Sequence, residues 1–271
     1  MTLTQPTPTN AYLVCATPRS GSTLLCELLK STGIAGHPEE FFEDLQATGR
    51  PHQPRQYFDG VDDPELLDLL APTEPGEPIT EAAFRATFVR ALEQGTTPNG
   101  VFAAKVMWGY LPDLLRGLRA LPQTDGLKAA DGLAAAFGDP RYVQVVRRDK
   151  VAQAVSMWTA VQTAQWRDEG DGAGAHEPVY AFTGIDHFVE QLTAQERAWT
   201  RWFAGAGIQP LVVVYEDLVQ APRKGVHDVL AGLGLEPADI PTPRMRQQSG
   251  ARSATWIARY HEDRDRVQVA A

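Results

Sequence analysis

Residues 11–25 read Ala-Tyr-Leu-Val-Cys-Ala-Thr-Pro-Arg-Ser-Gly-Ser-Thr-Leu-Leu. The apolar run Ala11–Ala16 suits a buried strand, and Thr17-Pro18 ends it. From Ser22 to Thr32 the leucines Leu24, Leu25, Leu28 and Leu29 fall on one helical face, and Gly33 closes that helix. A strand turning through Thr17–Thr23 into a helix points several backbone N–H groups at one place. The helix dipole adds partial positive charge there, so the turn is expected to bind an anion. Gly21 lets the backbone wrap, Ser20, Ser22 and Thr23 bring hydroxyls, and Arg19 brings a full charge. A Ser/Gly-rich turn that binds nothing is the plainer alternative. The turn is not a Walker motif: G-x-x-x-x-G-K-[ST] is absent, and no lysine precedes Ser22 or Thr23. The missing lysine points away from ATP chemistry.

Outward from this turn, strands are expected at Gly100–Met107, Arg141–Val146 (RYVQVV) and Leu211–Tyr215. Helices are expected at Pro64–Leu70, Thr80–Gln94, Asp113–Ala120, Lys150–Gln165, Asp186–Phe203 and Pro222–Leu233. Strands alternating with helices imply an α/β fold, a P-loop-like and mostly parallel sheet flanked by helices. Residues 1–10 read as a flexible tail and 11–271 as a single domain. Residues 168–178 (DEGDGAGAHEP) are too polar and glycine-rich to pack and are expected to form a mobile loop. The chain after Leu233 reads as a Pro/Arg-rich tail ending near Trp256 and Tyr260.

Of the 271 residues, 43% are apolar and 22% charged, ordinary for a chain that buries a core. The net charge of −9 argues against nucleic acid as a main partner, since phosphate backbones are held largely by Lys and Arg. It does not exclude a small anion held by a local cluster of donors. The two cysteines, Cys15 and Cys26, have no metal-ligand spacing, and the six histidines are scattered, so no metal is expected. No G-x-S-x-G elbow supports a serine hydrolase. The first residues, MTLTQPTPTN, lack a signal pattern, and no run nears the roughly 18 apolar residues of a membrane span. A cytoplasmic protein is the expectation.

A second cluster follows the third strand. Arg147 and Arg148 lie at its C-terminal end, where side chains of a parallel sheet enter the same crevice as the first turn. Ser156 lies eight residues after Arg148 and nine after Arg147, two turns into the next helix. An arginine fork and a hydroxyl can together hold a second phosphate. A solvated charge pair at a helix start is the competing reading. Lys105 lies within or just after an apolar strand and must reach a polar site or snorkel to the surface. At such a site it would act as a donor to an oxygen on which negative charge accumulates.

Together these elements resemble the sulfotransferases that use 3′-phosphoadenosine-5′-phosphosulfate (PAPS), and most closely the bacterial trehalose 2-sulfotransferase-like branch. The matching stretches are AYLVCATPRSGSTLLCELLKSTGIAGHPEEFF, HQPRQYF, TPNGVFAAKVMW, RRDKVAQAVSMWTAVQT and RQQ…RSATWIARY, in order along most of the chain. The resemblance implies a sulfotransferase fold and PAPS as sulfuryl donor. It implies that Arg19–Thr23 hold the 5′-phosphosulfate and that an arginine of the Arg147-Arg148 pair with Ser156 holds the 3′-phosphate. It implies Glu40, in Pro38-Glu39-Glu40-Phe41-Phe42, as general base; the residues themselves leave Glu39 as a competitor. Such a base accepts the proton of a sugar hydroxyl as its oxygen attacks sulfur. The C-terminal segment is implied to fold over the nucleotide, with Arg252 and Ser253 adding donors. A carbohydrate or other small-molecule hydroxyl acceptor and a homodimer complete the expectation. The other readings are a nucleotide- or phosphate-binding regulatory homologue without transfer chemistry, or a small-molecule kinase.

Overall fold

The alternation along the first strand, β1 (Asn10–Ala16), divides the molecule into two layers. Ala11, Leu13 and Cys15 enter one buried cluster, while Tyr12, Val14 and Ala16 enter another. A strand buried on both faces belongs in the middle of a sheet, and β1 sits between β2 (Val101–Met107) and β3 (Arg141–Val146). The fourth strand, β4 (Leu211–Val214), pairs outside β3, giving the order β2-β1-β3-β4 with every neighbour parallel. The register sets Val14 opposite Lys105 and Cys15 opposite Gln144. This is a computed structural model, describing residues 8–164, 166, 177–240 and 250–270.

The helices are α1 (Ser22–Ser31), α2 (Pro64–Leu67), α3 (Glu81–Gly95), α4 (Leu111–Leu118), α5 (Ala129–Phe137), α6 (Lys150–Thr163), α7 (Phe182–Ala206), α8 (Tyr215–Gln220), α9 (Pro222–Gly232) and α10 (Ala251–Ala270). One face of the sheet is covered by α1 and α9 through Leu25, Leu28, Leu29, Val226, Val229 and Leu230. The other takes Phe84 and Phe88 of α3, Leu114 and Leu118 of α4, Phe137 of α5, and Trp199 and Phe203 of α7. A third cluster joins α6 and α7 to Phe58 and to Trp256 and Tyr260 of α10. The α/β architecture with a parallel sheet flanked by helices is as the sequence implies.

Three local expectations are corrected. Tyr215 does not end β4 but opens α8. Helix α5 was not expected: Gly132 and Asp131 dilute its pattern, yet Leu133, Ala136 and Phe137 fill the core and Gly138, at φ +80°, ends it. The C-terminal segment is no tail from residue 251 onward but a helix of 20 residues. Trp256 and Tyr260 recur at i,i+4 and bury together. On its exposed side Arg266 lies 2.8 Å from Asp263 and Arg259 3.7 Å from the same residue, pairs that favour a helix. The loop 168–178, but for its last two residues, and the RQQ stretch lie outside the described residues, as do 1–7 of the N-terminal segment. Asn10 is already in the sheet, and the Thr9 N–H donates to the Gly100 carbonyl at 3.1 Å.

Candidate active site

In the order β2-β1-β3-β4 the chain passes from β1 to β2 on one side and then crosses from β2 to β3 on the other side of β1. That reversal opens a crevice at the C-terminal end of β1, where open α/β sheets bind ligands. The turn Thr17–Gly21 occupies it. Gly21 sits at φ +89° as the N-cap of α1, with no side chain capping the helix, so the first N–H groups of α1 remain for a ligand. A Cβ on Gly21 would fall 2.2 Å from Cδ2 of Tyr215. Arg19 is also left-handed, at φ +59°. Among non-glycine residues that conformation is rare and clusters at functional sites.

Arg19 crosses the crevice to α6, its Nε donating to Ser156 Oγ at 2.9 Å and its Nη1 to the Trp166 carbonyl at 2.7 Å. Arg147, at the end of β3, donates from Nη1 to the Arg19 carbonyl at 3.1 Å and lies 4.7 Å over the Tyr215 ring. Burial lowers the Arg19 pKa, and the Arg147 charge lowers it further. Burial lowers that of Arg147 as well, against the pull of Tyr215, Asp149 and Glu216. Two desolvated guanidinium groups side by side are stabilised by an anion between them. The Ser20 hydroxyl and Arg147 Nε are buried and have no hydrogen-bond partner among the described residues. An unsatisfied buried donor costs about 1–3 kcal/mol, and an anionic oxygen would relieve it. The donor set therefore fits the phosphosulfate end of a nucleotide.

Arg148 turns the other way. It is exposed and makes a bidentate pair with Asp217, Nη1 to Oδ1 at 2.8 Å and Nη2 to Oδ2 at 2.7 Å. Glu216 accepts from the Arg148 N–H at 3.2 Å and the Asp149 N–H at 3.1 Å. Burial pushes the Glu216 carboxyl up, but these N–H groups outweigh it and hold the pKa below its ordinary value. The Tyr215-Glu216-Asp217 stretch thus clasps the end of β3 and supports Gly21. In the sequence the stretch is marked by its place after the fourth strand.

On the β2 side, Lys105 is 3% exposed and balanced from two directions. Its Nζ lies 2.6 Å from Glu40 Oε1 and donates to Thr23 Oγ1 at 3.2 Å. The segment before Phe41 runs beside β2, with the Lys105 N–H donating to the Glu39 carbonyl at 2.9 Å. Adjacent residues of an extended segment point to opposite sides. Glu39 pairs with Lys30 of α1, whereas Glu40 turns to Lys105 and the turn. Phe42, fully buried in the core, anchors the segment. Lys30 was not among the candidates, because a lysine in the last turn of a helix is already accounted for by the helix dipole.

Two bonded groups thus flank the turn, Arg19 with Arg147 and Ser156 on one side and Lys105 with Thr23 and Glu40 on the other, with Ser20, Gly21 and Ser22 between them in the chain. Arg252 and Ser253 stand on the first turn of α10, where Arg252 lies 5.9 Å over the Trp256 ring. Trp199 of α7 donates from Nε1 to the Ala16 carbonyl at 2.9 Å, fixing the strand just before the turn. Among the described residues no helix is long and apolar enough to cross a membrane.

A P-loop-like turn of this kind, without the Walker lysine and facing an arginine–serine pair, defines a class: α/β proteins with a basic, hydroxyl-rich turn at the tip of the central strand. The family profile of the Stf0 sulphotransferases matches residues 11–263. The trehalose 2-sulfotransferase of Mycobacterium tuberculosis (strain ATCC 35801 / TMC 107 / Erdman) is 43% identical over 263 residues, covering 94% of this chain and 96% of that protein. The trehalose 2-sulfotransferase of Mycolicibacterium smegmatis (strain ATCC 700084 / mc(2)155) is 38% identical over 258 residues, covering 94% and 96%. The chain belongs to the Stf0 sulphotransferase family.

Proposed function

We propose that this sulfotransferase moves a sulfuryl group from PAPS to a hydroxyl of a carbohydrate. Trehalose is the nearest precedent, from the names of its relatives. The observation that carries the reading is the chain Glu40–Lys105–Thr23, which joins a carboxylate to the anion-binding turn through one buried ammonium. PAPS supplies the sulfuryl group; the bond from sulfur to the 5′-phosphate oxygen breaks as the bond to the acceptor oxygen forms. Arg19, the N–H groups of the turn and the hydroxyls of Ser20, Ser22 and Thr23 hold the 5′-phosphosulfate. Glu40 accepts the hydroxyl proton, and Lys105 balances the charge that gathers on the bridging oxygen. The negative end product is adenosine 3′,5′-bisphosphate. Glu39 is set aside as the base because Lys30 holds it on the far side of its segment.

For the 3′-phosphate we assign Arg148 with Ser156. Arg147 donates to the Arg19 carbonyl, lies over the Tyr215 ring and keeps a buried Nε for the 5′-phosphosulfate, whereas exposed Arg148 can exchange Asp217 for a phosphate. Arg148→Met is then expected to weaken adenosine 3′,5′-bisphosphate by about 10-fold or more, with much less effect on adenosine 5′-monophosphate. Arg147→Met weakens both. Calorimetric titration of the two nucleotides checks this, and equal losses for both in the Arg148 variant would reverse the assignment. Arg252 and Ser253 remain candidates for further 3′-phosphate donors, and sedimentation velocity tests the homodimer.

The function is tested by incubating the protein with sulfur-labelled PAPS and a panel of hydroxyl acceptors headed by trehalose. Label on a sugar is the expected result. Nucleotide binding with no transfer to any acceptor would favour the regulatory reading, and magnesium-dependent transfer from ATP would favour a kinase.

A further inference from the structure

Gln153 is a polar residue on the buried side of α6, 0% exposed among Val151, Ala154, Val155 and Met157. A buried amide needs partners for two donor hydrogens and an oxygen. Its Nε2 donates to Thr17 Oγ1 at 2.9 Å and to the Pro18 carbonyl at 2.7 Å, the first two residues of the turn. Its Oε1 accepts from Lys150 Nζ at 3.2 Å. An ammonium only donates, so Lys150 fixes which end of the amide faces the turn. Lys150 in turn pairs with Glu196 of α7 at 2.7 Å and donates to the Arg147 carbonyl.

The arrangement has a geometric consequence. Gln153 references the β1 side of the crevice to α6, and Lys150 references the β3 side to the same place. Glu196 and Trp199, three residues apart on one face of α7, back the two sides together. Pro18 has no N–H, and the backbone bond inside the turn is a single long one, from the Ser20 N–H to the Thr17 carbonyl at 3.3 Å. The curvature of Thr17–Gly21, and hence the convergence of its N–H groups, depends on that bond and on the side chain that grips Thr17 and Pro18.

We infer that Gln153, oriented by Lys150 and Glu196, is a positioning residue that sets the affinity of the turn for the anionic end of the donor. This rests on the reading of the turn as the donor site. A merely structural amide would hold α6 on the sheet and affect folding alone.

The test uses the full chain and adenosine 3′,5′-bisphosphate as probe, with Kd from calorimetry well below the melting temperature and Tm from the same preparations. Two lost hydrogen bonds are expected to weaken the bisphosphate about 10-fold in Gln153→Met. Gln153→Glu keeps the size and the Lys150 contact, but turns a carboxylate oxygen to the Pro18 carbonyl and adds negative charge behind the anion. It is expected to be weaker still, by about 100-fold. Lys150→Met removes the orienting contact together with the Glu196 pair and the bond to the Arg147 carbonyl, and a loss of about 3-fold or more is expected from it; it carries the test where Gln153 variants do not fold. A folded Gln153→Met protein, or Lys150→Met in its place, with a lowered Tm and a Kd within twofold of wild type would overturn the inference. A wild-type chain that does not bind the bisphosphate would overturn the donor-site reading, and this inference with it.

Discussion

Glu40→Gln is expected to lower sulfuryl transfer by about 10²- to 10⁴-fold, the span associated with loss of a positioned general base. The substitution keeps the shape of the side chain and an oxygen that can accept from Lys105. It removes the charge that balances an ammonium only 3% exposed. A buried cation stripped of its partner seeks another anion. The variant is therefore expected to prefer PAPS over adenosine 3′,5′-bisphosphate more strongly than wild type, since the sulfuryl group brings negative charge to Lys105 and the bisphosphate does not. The ratio of the two Kd values and single-turnover rates measure both effects. Turnover within 10-fold of wild type would remove Glu40 from the role of base.

Gly21→Ala is the second large effect, and it acts on donor binding instead of on proton transfer. At φ +89° an alanine meets the left-handed penalty of about 1–2 kcal/mol. Its Cβ would also fall 2.2 Å from Tyr215, whose ring lies beneath Arg147. The ring must move, and the guanidinium stacked on it moves too. The bisphosphate Kd is expected to rise about 100-fold, two such disturbed contacts to charged groups sufficing. Gly33→Ala is the control: its φ is +69°, but nothing lies within 4 Å of its added Cβ. It should lower Tm with no change in Kd. If both variants bind nucleotide alike, backbone strain and not the site explains the result.

Much of this was legible in the chain. The apolar run before Thr17-Pro18 and the leucine spacing after Ser22 disclose the strand, the turn and the helix because burial on both sides of β1 leaves no room for polar residues. Choices between neighbours were not legible. Glu39 and Glu40 differ by one residue, and extended geometry says only that they part, not which one meets Lys105. The same holds for Arg147 and Arg148, one drawn inward by Tyr215 and the other outward by Asp217. Gln153 gave no signal, since a glutamine on a helix is ordinarily a surface residue. Helix α10 was obscured by the Pro/Arg-rich composition leading into it; its two buried aromatics become informative only once α6 and α7 are there to receive them.

The pairing of Val14 with Lys105 ties chemistry to assembly. Side chains alternate along a strand, so a slip of β2 past β1 by one residue would turn the ammonium toward the opposite layer. There it would meet the aromatic side of the core in place of Thr23 and Glu40. A chain refolded from denaturant can regain helical circular dichroism with its strands misaligned, but it cannot regain sulfuryl transfer in that state. Recovered activity after refolding therefore counts the molecules whose sheet has closed in the native alignment, a finer measure than any spectroscopic signal of helix content.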